Sequence, residues 1–341
     1  MKGDFRLKKL RVGVVGIGHM GQHHARVYKE MSNVEVTALA DNDENTLLEV
    51  ADRLGINSYS DYKELFDKVD AVSIVVPTTF HYDISREFLE HGIHVLVEKP
   101  VTRTIQEVTR LNELAKTKNL ILQVGHTERF NPAVQSLFQL VENPIIFVEA
   151  NRLGPASPRN LDIGVVLELM IHDLDIILEI VKSPLKKVNA LGVSVYSEYE
   201  DIAVAQLLFE NGCLATLASS RVTAEKVRKL EVTLEDAFVS VDYIDQNITF
   251  RRQVSSRYVF DKKSTRYQRR FLLEKPFISK EEPLKLELDH FVQCIREGKK
   301  PVVSGDEACS ALLVAEKILG NMEMTNLRMD KSFLDLHKDC Q

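Results

Sequence analysis

The chain has 341 residues, of which 44% are hydrophobic and 28% charged, and its formal net charge is −6. That length supplies material for about two cores. The slight acidity excludes a broad attraction to nucleic acid, and the composition is that of a globular protein. No apolar stretch approaches the roughly 20 residues that span a bilayer. The start, MKGDFRLKKLRV, runs into apolar sequence without a signal-type core. Cys213, Cys294, Cys309 and Cys340 fall at no metal-ligand or redox spacing. A cytoplasmic protein with reduced thiols, no bound metal, and neither a membrane nor a nucleic-acid partner is therefore expected.

Residues 11–21 read RVGVVGIGHMG. The β-branched Val12, Val14 and Val15 form a short buried strand that opens into Gly16-x-Gly18-x-x-Gly21, with His19 and Met20 in the turn and a helical stretch over 22–31. At a strand-to-helix turn the first glycine permits the sharp bend and the second lets the backbone approach a pyrophosphate. The third lets the helix lie close to the sheet. Phosphates would then meet unpaired N–H groups at the helix N-terminus. A second strand over 35–40 ends in Asp41, whose carboxylate can accept both ribose hydroxyls of an adenosine and repels a 2′-phosphate, and Asn42 beside it adds no positive charge. The pattern predicts a dinucleotide site that favours NAD over NADP.

Strands and helices continue to alternate, as in a doubly wound parallel sheet. An apolar strand over 69–76 ends at Pro77-Thr78-Thr79, a helix covers 82–91, a strand over 94–97 runs into Glu98-Lys99-Pro100, and 120–124 closes the domain. Ligands of such sheets lie beyond the carboxyl ends of the strands. That rule gathers Gly16, Gly18, His19, Met20, Gly21, Asp41, Pro77, Thr78, His81 and Glu98 as cofactor-side candidates. Pro100 keeps Lys99 out of the α region and can aim its side chain into the crevice. The same tripeptide recurs at Glu274-Lys275-Pro276 in a polar segment, so position rather than the tripeptide carries the signal. The Rossmann domain is placed at residues 1–125.

Residues 126–341 read as an α+β domain. An apolar helix over 165–181 is followed by alternating segments at 188–196, 203–209, 213–220, 229–234 and 238–244, which predict a largely antiparallel open sheet with one face under the helix. Residues 251–280, rich in Arg, Lys and Ser, read as a solvated excursion. Helices are expected at 284–297 and 306–322. The uncovered sheet face implies a homo-oligomer, a dimer or tetramer.

Within the apolar helix, Glu168, His172 and Asp175 are spaced to share one face. Buried, they must pair or face a polar cavity, and such clusters are enriched at functional sites. A metal reading of His172-Asp173-x-Asp175 lacks further ligands nearby. Ahead of the helix, Arg152 and Arg159 bracket a loop dense in turn formers that ends at Asn160. With Arg129 they offer guanidinium forks suited to phosphate; ordinary surface arginine is the alternative.

The fingerprint, Glu98-Lys99-Pro100 after a Rossmann strand, and an acid-x-x-x-His helix over an open sheet together resemble the Gfo/Idh/MocA family of NAD(P)-dependent sugar and cyclitol dehydrogenases, from about residue 9 to residue 325. Segments 124–132, 152–159 and VVLELMIHDLD look most like the members that oxidise the 3-hydroxyl of a UDP-hexosamine for lipid A or other cell-surface glycan precursors. The resemblance implies Lys99 and His172 as the catalytic pair, Pro100 in a cis peptide, and His126, Arg129, Asn131, Arg152 and Arg159 on the substrate side. One departure is Glu168, which stands where the family commonly has Asp. The residue types suit alcohol oxidation, with His172 as base and the Lys99 ammonium stabilising developing alkoxide, or with a desolvated Lys99 as the base. An inositol or free-sugar dehydrogenase and a non-catalytic dinucleotide sensor are the rival readings.

Overall fold

The computed structural model describes residues 8–141, 144–156, 163–261 and 264–327. Arg159, Asn160 and Cys340 lie outside these residues. The chain divides into two compact units, Met1–Phe130 with Glu281–Ser310, and Asn131–Lys280 with Ala311–Gln341.

The first unit holds β1 (Leu10–Val15), α1 (His19–Glu30), β2 (Val34–Ala40), α2 (Glu44–Leu54), β3 (Ser58–Tyr59), β4 (Ala71–Ile74), α3 (His81–Glu90), β5 (His94–Glu98), α4 (Ile105–Lys118) and β6 (Leu122–Gly125). Its six strands run parallel in the order β3-β2-β1-β4-β5-β6. Val12, Val14, Val72, Val95 and Val97 are fully buried, as central parallel strands with both faces covered require. The helices start where the sequence caps them. Asp43 accepts the Thr46 N–H, and Thr104 and Glu107 form a reciprocal capping box. The strand order reverses between β1 and β4, the point at which such sheets open a ligand crevice.

The second unit contains α5 (Pro132–Leu140), β7 (Ile145–Leu153), a π-turn at Val166–Met170, α6 (Ile171–Val181), β8 (Leu185–Ser194), β9 (Ile202–Phe209), β10 (Leu214–Ser220), β11 (Val227–Leu234), β12 (Ala237–Asp242), β13 (Asn247–Asp261), β14 (Ser264–Glu274) and β15 (Met322–Asn326). Nine strands lie in the order β14-β13-β12-β11-β7-β10-β9-β8-β15. Among the described residues, the β7·β10 and β8·β15 pairs of this sheet are parallel and the other pairs antiparallel. The period-2 pattern is clear in β9, where Ala203, Ala205, Leu207 and Phe209 are buried and Val204 is exposed. The buried face meets Leu174, Ile176 and Ile177 of α6 and Val134 and Leu137 of α5 in one core. Two further helices follow, α7 (Pro283–Glu297) and α8 (Gly305–Gly320).

Three features differ from the sequence expectations. The helix over 165–181 is interrupted by the π-turn. Within residues 251–280, expected as a solvated excursion, β13 and β14 form a hairpin paired from Phe250↔Glu274 to Asp261↔Ser264. Ladder hydrogen bonds hold that ribbon. Finally, α7 rejoins the first unit, where Leu284, Leu288, Phe291 and Val292 share a core with Val12, Ala25 and Tyr28. A division at residue 125 contains no such return.

Candidate active site

In the first unit, β1 delivers the glycine turn to the carboxyl edge of the sheet. Gly16 has φ +90°, and a Cβ there would stand 2.3 Å from the Val75 carbonyl oxygen, so only glycine fits. A Cβ at Gly21 would reach 1.8 Å from the Gly16 oxygen, so this residue sets how closely α1 approaches the turn. Gly18 differs from both, because no atom lies within 4 Å of a Cβ built on it. Space is therefore kept open at the glycine that faces the N-terminus of α1, the helix start that bears His19 and Met20.

Asp41 is drawn toward this turn. Its Oδ2 accepts the Ile17 N–H at 2.5 Å and its Oδ1 accepts the Asp43 N–H at 2.9 Å. A carboxylate has about four acceptor sites, so capacity remains for two hydroxyls. Gly16, Gly18, Asp41, Asn42, Tyr62 and Pro77 line a cavity of about 480 Å³ that has no Lys or Arg in its wall. The residues present thus fit a dinucleotide: an open phosphate approach, a free helix start, and a carboxylate at the ribose end.

At the end of β5 the Lys99–Pro100 peptide is cis. Glu98, just before it, is anchored from several sides. Its Oε1 lies 3.2 Å from Nε2 of the fully buried His24, and its Oε2 accepts the Lys99 N–H at 3.1 Å. Gly125, its register partner on β6, leaves it room, since a Cβ there would meet the carboxyl group at 3.0 Å. Burial pushes the Glu98 carboxyl up, but the His24 hydrogen bond and charge together with the Lys99 charge win, and its pKa sits below the usual range. His81 is also buried; its ring nitrogens lie 2.8 Å from the Pro100 oxygen and 2.8 Å from the Val76 oxygen. It ties the segment after β4, which carries Pro77 and Thr78, to the residue that follows Lys99. Desolvation holds its pKa below the ordinary histidine value. His126 and Arg129, beyond β6, are buried in the same unit.

In the second unit, His172 is half-buried in the first turn of α6, and Asp175 is buried. Glu168 lies in the π-turn and is met by Arg221, whose Nη1 donates to Glu168 Oε2 at 3.1 Å. Arg221 Nε donates to Asp201 at 2.6 Å and Nη2 to Ser197 Oγ at 3.0 Å. Asp201 also accepts the N–H groups of Val195, Tyr196 and Ser197. Burial raises the Asp201 pKa, but these backbone donors and Arg221 outweigh it and bring it below the ordinary value. Arg152 turns its fork to Asp173, with Nε to Oδ2 at 2.8 Å and Nη2 to Oδ1 at 2.9 Å, and its guanidinium lies 5.1 Å from the Tyr243 ring centre. Asn131 caps α5 and donates to the Tyr243 oxygen at 3.0 Å.

Sequence reasoning missed His24, Asp201 and Arg221. The pairs His24 with Glu98 and Arg221 with Asp201 and Glu168 join residues 20 to 74 apart in the chain, so no local spacing marks them. The histidine three residues after Gly21, the second of the pair His23-His24, was the available signal. Among the described residues no three His, Cys, Asp or Glu side chains are grouped to hold a metal, and no helix is long and apolar enough to cross a membrane.

Comparison with known proteins accords with this geometry. Residues 10–126 match the oxidoreductase family, NAD-binding Rossmann fold, and residues 148–240 match the GFO/IDH/MocA C-terminal domain. UDP-N-acetylglucosamine 3-dehydrogenase of Acidithiobacillus ferrooxidans is 36% identical over 239 residues, 70% of this chain and 76% of that protein. Its solved structure superposes with a TM-score of 0.84 at 30% identity, covering 92% of this chain and 98% of that one. scyllo-Inositol 2-dehydrogenase (NAD(+)) of Bacillus subtilis is 26% identical over 321 residues, 88% of this chain and 90% of that protein.

Proposed function

From the premise that the chain belongs to the GFO/IDH/MocA oxidoreductase family, we propose that it is an NAD-dependent dehydrogenase that oxidises the 3-hydroxyl of a UDP-hexosamine, UDP-N-acetylglucosamine first among the candidates. The observation that carries the substrate is the likeness to the Acidithiobacillus enzyme, 36% identical where the inositol dehydrogenase is 26% identical. The preference for NAD rests on Asp41 and on a cavity wall without a cation to meet a 2′-phosphate.

The glycine turn and the N-terminus of α1 hold the pyrophosphate in this reading, and Asp41 orients the adenosine ribose. A nicotinamide bound there would supply the acceptor for the hydride of the carbinol carbon. The hydroxyl proton must leave as the hydride does. We assign its removal to the imidazole of His172 and stabilisation of the developing alkoxide to the Lys99 ammonium. His81 and the Glu98–His24 pair fix the backbone on either side of Lys99, so the ammonium is aimed before substrate arrives. Arg129, Arg152 and Arg159 are the cations proposed for the diphosphate. A homo-oligomer that covers the open sheet face completes the proposal.

The test is NAD reduction by the purified protein across UDP-hexosamines, free hexoses and inositols, with identification of the product. A 3-keto sugar still attached to UDP is expected. Turnover of inositols with no response to any nucleotide sugar overturns the substrate and leaves the family activity standing.

A further inference from the structure

The segment that carries His172 is held more firmly than an ordinary apolar helix requires. Within the second unit, side chains on both sides of His172 end in buried ion pairs, Glu168 with Arg221 and Asp173 with Arg152, and none of the four is more than 11% exposed. Between them runs the π-turn. Its i→i+5 winding is rare and recurs at functional sites, and Glu168 lies within it. The entrance to the turn is pinned as well: Glu200 accepts the Val165 N–H at its backbone oxygen and the Val166 N–H at its carboxylate, both at 3.0 Å. A Cβ at Gly164 would overlap that carboxylate at 2.0 Å. Arg221 itself is seated by Asp201, which three consecutive backbone N–H groups fix in turn.

Buried ion pairs are an inefficient source of stability, because an apolar set of equal volume often does as well. Two of them bracketing one half-buried imidazole point to a different use. We propose that Arg221 and Arg152 are positioning residues for His172: through Glu168 and Asp173 they clamp the π-turn and the first turn of α6 and set the direction in which the imidazole faces. The geometry of the forks agrees. Arg221 divides three nitrogens among Asp201, Glu168 and Ser197, and Arg152 meets Asp173 bidentately. A lysine in either place supplies charge without the fork.

This inference rests on His172 as the proton acceptor but not on the identity of the sugar, so its test uses whichever alcohol the enzyme oxidises. Arg221→Lys, Arg152→Lys and the milder Glu168→Gln are compared with the parent by kcat, by cofactor Kd, and by the His172 imidazole resonance in the ligand-free protein, assigned from its loss in His172→Gln. A misplaced general base lowers kcat by about a hundredfold. We expect a fall of that order in Arg221→Lys, cofactor Kd unchanged, and a displaced His172 resonance in all three variants. A folded Arg221→Lys with parental kcat and an unmoved resonance overturns the clamp. So does a Glu168→Gln variant that loses turnover with the resonance in place, which makes Glu168 a catalytic residue. Should Arg221→Lys not fold, Glu168→Gln decides by the same readouts. Full turnover in His172→Gln defeats the assignment of the base, and the resonance shifts then still report separately on the clamp.

Discussion

Nε2 of His24 lies 3.2 Å from Oε1 of Glu98, and the histidine is fully buried. Helix α1, whose start forms the dinucleotide turn, therefore also holds the residue that precedes Lys99. His24→Leu keeps the bulk and removes the donor. Leaving a buried acceptor without its partner costs about 1–3 kcal/mol, and each kcal/mol lowers the melting temperature of a unit this size by about 2–4 °C. Calorimetry should record that fall, and kinetics a loss in kcat larger than the loss in cofactor affinity. An unchanged melting temperature means that the contact contributes nothing to the fold.

Lys99→Met removes the ammonium and nearly preserves the volume. Because Glu98, Pro100 and His81 fix the surrounding backbone independently of the Lys99 side chain, cofactor affinity should hold. Turnover should fall by about a hundredfold or more, the usual result of deleting a group that stabilises transition-state charge. Near-parental turnover removes Lys99 from the mechanism.

Asp201 supplies a pH test. Its folded pKa lies below the ordinary 3.8, so above that value the native state gains from the ionised form. The gain is complete above the unfolded pKa and disappears as the pH falls through the lower folded one. Asp201→Asn should therefore melt well below the parent at pH 7, with the gap closing as the pH drops beneath about 4. A gap constant from pH 7 to pH 3 is the contrary result, since it means the lost contacts do not depend on ionisation.

The glycine turn, Asp41 and the strand leading to Lys99 were legible because each sits in a contiguous pattern: β-branched run, fixed glycine spacing, strand end. The antiparallel sheet was legible from alternation, as in Ala203 to Phe209. Strand β7 was not read, although it lies between β10 and β11. Its sequence, IIFVEANRL, loses apolar character halfway, because Arg152 is buried on an ion pair rather than on hydrocarbon. The spacing of Glu168 and His172 suggested a shared helix face. The π-turn itself was not legible, because the contacts that hold it, from Arg221 and Glu200, come from more than thirty residues away.

Asp41→Ala should weaken NAD binding and relax discrimination against NADP, because the carboxylate offers acceptors to a ribose diol and repels a 2′-phosphate. Fluorescence titration with both cofactors reads the two effects. Tighter NADP binding by the unaltered protein excludes Asp41 from the ribose.

Gly16 and Gly18 separate fold from ligand. Gly16→Ala places a Cβ 2.3 Å from the Val75 oxygen at φ +90°; backbone strain of this kind costs about 1–3 kcal/mol before the clash is added, so the melting temperature should fall. Gly18 has φ −66° and ψ −166°, which any residue adopts, and its Cβ would meet nothing within 4 Å. Gly18→Ala should therefore leave stability within about 0.5 kcal/mol of the parent. Its methyl group occupies the space through which a pyrophosphate approaches the backbone, so cofactor affinity should fall about tenfold or more, some 1.4 kcal/mol. Loss of affinity without loss of stability in Gly18→Ala, set against loss of both in Gly16→Ala, is the expected contrast. Parental cofactor affinity in Gly18→Ala means that phosphates do not pass this residue.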